Sequence, residues 1–367
     1  MNFQKLLSNL NQTQFRASLN TEHSQNIPRM IENPNISFED FLLLLSPAAA
    51  PYLDMMAQKA QALTAQYFGR TIHLYVPVYL SNECTNECLY CGFNKSIDQQ
   101  RTTLSVTEMR MEFKALKQQG FDHVLLLTGE APNAGVDYLV EAIKIARQYF
   151  TQISLEIFPA STADYQKLIA AGASGLTIYQ ETFDRETYRR VHLKGKKADY
   201  DWRLNAPQRA LEAGFRRLGL GVLLGLSDWR LDTALLAYQA QQFLKTHWQS
   251  ELSISFPRLH HTPEGFQPQQ KVDDRQLLQI IFALRLFLPQ IGLVLSTRES
   301  SILRDNMLGL GITQISAGSR TNPGGYQQLE TSAQFTVEDQ RELKEVISKI
   351  SSEGFDPVLK DWEGVFA

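Results

Sequence analysis

Residues 123–158 read HVLLLTGEAPNAGVDYLVEAIKIARQYFTQISLEIF. The segment opens on an apolar run of strand length, His123–Thr128. A loop follows, then a stretch with helical periodicity, Val136–Tyr149, and a second apolar run, Ile153–Phe158. Strand, helix and strand in that order are the signature of a βαβ unit and of a parallel sheet.

Outward from this unit the same alternation continues in both directions. Further strands are expected at Ile72–Leu80, Gly175–Tyr179, Arg217–Leu224, Leu252–Phe256, Gly292–Ser296 and Gln314–Ala317. Helices are expected at Val106–Gln119, Ala163–Ala171, Leu204–Ala213, Leu231–His247, Asp273–Leu288, Ser300–Leu308 and Val337–Ser351. Gly120, Gly172 and Gly214 each stand where a helix ends and the next strand begins. Eight strands each followed by a helix suggest an α/β fold of the closed (β/α)8 TIM-barrel type, which takes about 250 residues. The reading is a helical extension over 1–70, with helices at Phe38–Leu45 and Pro51–Tyr67, a barrel over 71–335, and a C-terminal helix and tail over 336–367. The tail from Gly354 looks irregular but carries Phe355, Trp362 and Phe366, so it is expected to dock. An open doubly wound sheet has the same periodicity, and periodicity alone does not separate the two.

The bulk composition is that of an ordinary globular chain, with 43% hydrophobic and 20% charged residues. A net charge of −3 argues against an electrostatic nucleic-acid binder, which needs a basic face. Met1–Leu10 does not read as a targeting segment, and no run of about 18 apolar residues suggests a membrane span. A soluble, cytoplasmic protein with no nucleic-acid or membrane partner is expected.

The chain has only three cysteines, and they lie together: Cys84-Thr85-Asn86-Glu87-Cys88-Leu89-Tyr90-Cys91. An odd, tightly grouped set is a poor disulfide framework and a good metal site. A zinc site would need a fourth ligand, and neither His73 nor His123 has finger-like spacing. Three thiolates can instead hold three irons of a 4Fe-4S cubane, leaving the fourth open to a small molecule. The amino and carboxylate groups of S-adenosylmethionine suit that opening. In a barrel the chemistry sits at the carboxyl ends of the strands. The cysteines follow the first strand, Glu130 the second, and Ser319 and Arg320 the eighth. Those strands are neighbours in a closed barrel, so the residues should converge.

The cysteine spacing, with an aromatic residue before the last cysteine, resembles the radical S-adenosylmethionine superfamily. That resemblance implies a set of cofactor contacts. Tyr90 would pack near the adenine. Gly129 and Glu130, in Thr128-Gly129-Glu130, would meet the methionine amino group. Gly221 and Gly225, in the stretch ending at Asp228, would lie beside the adenine. Glu156, Tyr179, Gln180, Glu181 and Arg203 lie at or after strands three and four, where the resemblance places polar side chains against the ribose and the methionine carboxylate; Glu156, Gln180 and Arg203 are the foremost of them. The cationic run Arg189, Arg190, Lys194, Lys196 and Lys197 reads as solvated surface.

More of the chain resembles one family. Cys-Leu-Tyr-Cys-Gly-Phe (residues 88–93), Tyr179-Gln180-Glu181-Thr182, Asp201-Trp202-Arg203-Leu204, Ile315 to Thr321, Phe355-Asp356-Pro357-Val358 and Lys360-Asp361-Trp362 are together similar to 2-iminoacetate synthase, the tyrosine lyase of thiamine biosynthesis. The resemblance implies that a 5′-deoxyadenosyl radical takes hydrogen from L-tyrosine and that the Cα–Cβ bond breaks. Products would be 2-iminoacetate and p-cresol, with methionine and 5′-deoxyadenosine. It also implies thiazole synthase as a partner and a flavodoxin- or ferredoxin-type reductant. Arg320 would clamp the tyrosine carboxylate, with Ser319 and Thr321 beside it; the alternative for Arg320 is a salt bridge on the barrel rim. His260 and His261 are candidates for the phenol by location. Other readings are a tryptophan-cleaving relative, a non-catalytic iron–sulfur protein, and the lyase that matures iron-only hydrogenase. The last carries a second cluster on later cysteines, and here no cysteine follows Cys91.

Overall fold

A computed structural model describes residues 12–260, 262–263, 265–327 and 329–360. Its centre is a parallel sheet of β1 (Thr71–Ser81), β2 (His123–Thr128), β3 (Gln152–Glu156), β4 (Gly175–Glu181), β5 (Arg217–Val222), β6 (Glu251–Ser255), β7 (Gly292–Leu295) and β8 (Gln314–Ser316). Neighbours pair in chain order. β1 pairs with β2 on one side, Val76 opposite Val124, and with β8 on the other, His73 opposite Gln314. The sheet is therefore closed, and the open doubly wound alternative is excluded.

Local chemistry sets the helix ends. Val106–Gln119 starts on Ser105, which shares a capping box with Glu108. It stops at Gly120, whose φ of 102° is left-handed. Asp273 and Gln276 cap Asp274–Phe287 in the same way. The N-terminal extension packs on that helix. Phe41 stacks on Phe287 with ring centroids 4.5 Å apart. Gln279 Nε2 donates to the Leu44 and Ser46 carbonyls, both at 2.9 Å.

Three expectations change. The expected helix Leu204–Ala213 is split into Tyr200–Leu204 and Ala206–Ala213, with Pro207 near the start of the second. The last helix runs Leu343–Ser352 and not from Val337. Residues 337–342 are spent elsewhere: the Glu338 and Asp339 amides donate to the Thr297 carbonyl, and buried Asp339 pairs with Arg304. Finally, part of the supposedly irregular tail is a short strand, β9 (Asp356–Val358), parallel to Thr71–His73 of β1. Phe355 beside it packs under Gly309 and Arg70. Trp362 and Phe366 lie outside the described residues. No helix among the described residues is long and apolar enough to cross a membrane.

Candidate active site

Strand alternation decides which side chains enter the barrel mouth. β1 turns in Tyr75, Pro77 and Tyr79; β4 turns in Thr177, Tyr179 and Glu181; the chain leaving β7 turns in Ser296 and Arg298. Together they bound a cavity with about 1450 Å³ of atom-free space, its open mouth included.

The cysteine loop forms one wall, and all three cysteines line the cavity. Glu87 and Leu89 amides donate to the Lys194 and Val191 carbonyls, each at 3.0 Å, and the Leu193 amide returns to Glu87 at 2.9 Å. These bonds zip the loop to the segment after Arg185–Val191. Two glycines allow close approach. A side chain at Gly129 would collide with the Glu83 carbonyl, and one at Gly92 with the Gln334 carbonyl. No three His, Cys, Asp or Glu side chains among the described residues are grouped to hold a single metal ion. The three thiols on the cavity wall are soft sulfur donors, the kind that an iron–sulfur group takes. Two buried hydroxyls at the cavity, Thr128 Oγ1 and Ser319 Oγ, have no hydrogen-bond partner. Such groups are normally satisfied, so they suit a bound ligand.

Tyr90, Gly129, Glu130, Glu156, Arg203 and Ser319 all line this cavity. Tyr90 OH donates to His192 Nε2 at 2.8 Å, and His192 Nδ1 donates to the Tyr188 carbonyl at 2.8 Å. Burial, then Lys197, holds His192 down to about 3, so it stays neutral and keeps that tautomer. Glu130 accepts from Asn86 Nδ2 at 2.9 Å. Tyr90, Leu223 and Leu259 form an apolar slot beside Cys88.

Four expected site residues are not on the cavity wall itself, though Gly225 lies against Leu259 of the apolar slot and Gly221 against the inward Tyr179. Gln180 lies between the inward Tyr179 and Glu181, so alternation turns it out of the barrel. Glu181 takes its place. It sits at a bulge with φ 73°, a left-handed value no other non-glycine residue has among those described. Gly221 gives up its side-chain space to the Tyr179 ring and the Ser255 carbonyl. Gly225 makes a turn with φ 116° whose carbonyl accepts from the Gln269 amide at 2.8 Å. Asp228, read as part of that motif, instead caps Trp229–Thr246. Arg320 is the largest correction. It lies between inward Ser319 and Thr321, points outward, and pairs with Glu342 at 2.8 Å. It is the rim salt bridge. His260 approaches Glu299 at 3.4 Å and is not at the cavity wall; His261 lies outside the described residues.

Two cations that the sequence reading passed over are inside. Arg298 lies 3.3 Å over the Phe335 ring, with no ion-pair partner among the described residues. Counting alternate residues on from β7 would have found it. Lys197, read as solvated, turns inward and pairs with Glu181 at 2.6 Å; Arg203 meets the same oxygen at 3.1 Å. Burial would raise the Glu181 carboxyl, but Lys197 and Arg203 outweigh it and hold it below the usual range. Burial, then Glu181, pushes Glu156 up to about 7.

Comparison with known proteins agrees with this geometry. Residues 78–237 match the Radical SAM superfamily, and residues 255–356 match the Biotin and Thiamin Synthesis associated domain. The chain is 42% identical to 2-iminoacetate synthase of Escherichia coli (strain K12), over 95% of this chain and 93% of that protein. It is 43% identical to 2-iminoacetate synthase of Salmonella typhimurium, with the same coverage. A solved maturase of the [FeFe]-hydrogenase superposes with a TM-score of 0.89 at 32% identity, covering 95% of this chain and 80% of that one. Taken with the cysteine wall and the closed barrel, these matches mean that the chain belongs to the 2-iminoacetate synthase family, within the Radical SAM superfamily.

Proposed function

We propose that the protein splits L-tyrosine at the Cα–Cβ bond into 2-iminoacetate and p-cresol, using a 4Fe-4S cluster on Cys84, Cys88 and Cys91 and S-adenosylmethionine on its open iron. The observation that carries this reading is one continuous cavity with thiols on one wall and, facing a tyrosine-lined floor, Arg298, which has no ion-pair partner among the described residues. When bound, the cluster and S-adenosylmethionine supply an electron and a hydrogen-abstracting radical.

The chain's own residues divide the remaining work. The Tyr90, Leu223 and Leu259 slot takes the adenine. Lys197 and Arg203 carry one positive charge more than Glu181 neutralises, which suits the methionine carboxylate. Glu130 suits its ammonium. Arg298 offers a planar fork to the tyrosine carboxylate, and Ser319 Oγ a further hydrogen bond. The phenol lies toward Leu125, Leu127 and Tyr79. Glu156, poised near neutrality, takes a proton from the substrate ammonium and leaves a neutral amine. Gln334 and Phe335 close the cavity on the side of Cys91 and Arg298 and keep water from the reacting atoms.

Tyrosine equals 2-iminoacetate plus p-cresol atom for atom. Cofactor cleavage takes up one electron, and the benzylic fragment takes a second with a proton, so a reductant is required. Exposed Arg189, Arg190, Lys194 and Lys196 flank the segment bonded to the cysteine loop, which supports an acidic flavodoxin- or ferredoxin-type donor. The imine hydrolyses in water, which supports direct transfer to thiazole synthase. Anaerobic reconstitution with tyrosine, S-adenosylmethionine and reductant tests the reading. Formation of p-cresol and 5′-deoxyadenosine in equal amounts is expected. 5′-Deoxyadenosine without p-cresol would sink the tyrosine assignment.

A further inference from the structure

We propose that Gln334 is a positioning residue for the iron–sulfur cluster, aiming its amide at Cys91 under the control of Tyr79. The inference rests on the cluster reading above. Gln334 lies 243 positions from Cys91 in sequence, on the segment that crosses the barrel mouth after β8. Its Nε2 donates toward Cys91 Sγ at 3.6 Å. Its Oε1 accepts from Tyr79 OH at 2.7 Å. An amide can be turned either way round, and the sulfur fixes the choice, since a thiolate only accepts and so takes the NH2 end. The Tyr79 hydroxyl then anchors Oε1 and holds the side chain in that place.

The surrounding chain holds this arrangement. The Gln334 amide donates to the Thr321 carbonyl at 2.9 Å, and Thr321 Oγ1 donates to the Phe335 carbonyl at 2.6 Å. Gly92, next to Cys91, has no side chain where the Gln334 carbonyl passes. The segment and the cysteine loop are therefore packed backbone to backbone. Besides Gln334, the donor at Cys91 Sγ is the Phe93 amide at 3.4 Å. Reduction adds negative charge to a cluster, and hydrogen bonds to its sulfurs stabilise that charge and raise the potential. Tyr79 also lines the cavity, so the same bond links the substrate end to the cluster end.

Redox titration of the reconstituted protein, followed by the spin signal of the reduced cluster, tests this. Gln334→Leu is expected to move the midpoint to a more negative value with iron and sulfide content unchanged. Tyr79→Phe, which keeps Gln334 but removes the anchor on its Oε1, is expected to move it in the same direction by less. If Gln334→Leu assembles less cluster, Tyr79→Phe decides. A Tyr79→Phe midpoint equal to that of the unmodified protein would overturn the proposal and leave the cluster reading standing. An unmodified protein that takes up no 4Fe-4S cluster would overturn the underlying reading instead.

Discussion

Lys197 Nζ lies 2.6 Å from Glu181 Oε1 inside the barrel mouth. Arg203 reaches the same oxygen, so one buried carboxylate holds two cations where an anionic group of the cofactor can join them. Lys197→Met is expected to weaken S-adenosylmethionine binding about tenfold, or ~1.4 kcal/mol, read by calorimetric titration. Glu181→Gln leaves both cations without their carboxylate, although Arg203 Nε still donates to the Tyr179 carbonyl at 2.6 Å. A loss of about 3–5 kcal/mol in stability is expected, seen as a fall in Tm. An unchanged Tm would show that the pairing is not structural.

The pH dependence follows from Glu156. Its folded value of about 7 lies above the unfolded carboxyl value of about 4.3. The folded protein therefore holds the proton more tightly. Below the unfolded value both states are protonated and nothing is lost. As pH rises from there to about 7 the unfolded state ionises while the buried carboxyl keeps its proton, so folding loses up to about 3 kcal/mol, and the loss levels off above that pH. Glu156→Gln removes that term. The variant and the unmodified protein are expected to melt together near pH 4 and diverge toward pH 8, the variant being the more stable. Parallel Tm curves across that range would refute the assignment.

Two arginines separate the clamp seen in the structure from the one expected from sequence. Arg298 faces the cavity without an ion-pair partner among the described residues, and Arg320 is paired outside it. Arg298→Met is expected to raise the KM for tyrosine at least tenfold, the cost of losing a charge-assisted bond of ~1.5–3 kcal/mol. Arg320→Met is expected to change it less than twofold. Steady-state kinetics with both variants would expose the reverse pattern if the clamp were Arg320.

Electron delivery can be separated from chemistry. Reversing Arg189 and Lys196 to glutamate is expected to slow turnover about tenfold with a flavodoxin as donor, by removing long-range attraction. With a small chemical reductant the rate is expected to stay the same. Equal slowing with both donors would locate the defect in the site and not at the surface.

The fold was legible because buried parallel strands and amphipathic helices leave strong periodic signals. His123–Thr128, Val106–Gln119 and Phe38–Leu45 end where the sequence reading puts them. Closure was expected from eight strand–helix repeats, but periodicity alone does not separate it from an open sheet; the pairing of β1 with β8 across the whole chain decides it. The cysteine wall was legible from spacing. Gln180 and Arg320 were misread because motif proximity does not say which face of an extended chain a residue occupies. In each case the neighbours, Glu181 or Ser319 and Thr321, face the cavity instead. Lys197 was misread because a charge run says nothing of one member turning inward to a buried carboxylate. Gln334 gave no signal at all, because its meaning comes from a contact with a cysteine on a distant loop.

The most direct test of the account is the product yield of the anaerobically reconstituted enzyme and its Arg298→Met variant, with tyrosine limiting. The unmodified protein is expected to form p-cresol and 5′-deoxyadenosine together. The variant is expected to lose most of the p-cresol while still cleaving S-adenosylmethionine. If the variant forms p-cresol at the unmodified rate, tyrosine is not held where the cavity and Arg298 put it, and the account is wrong.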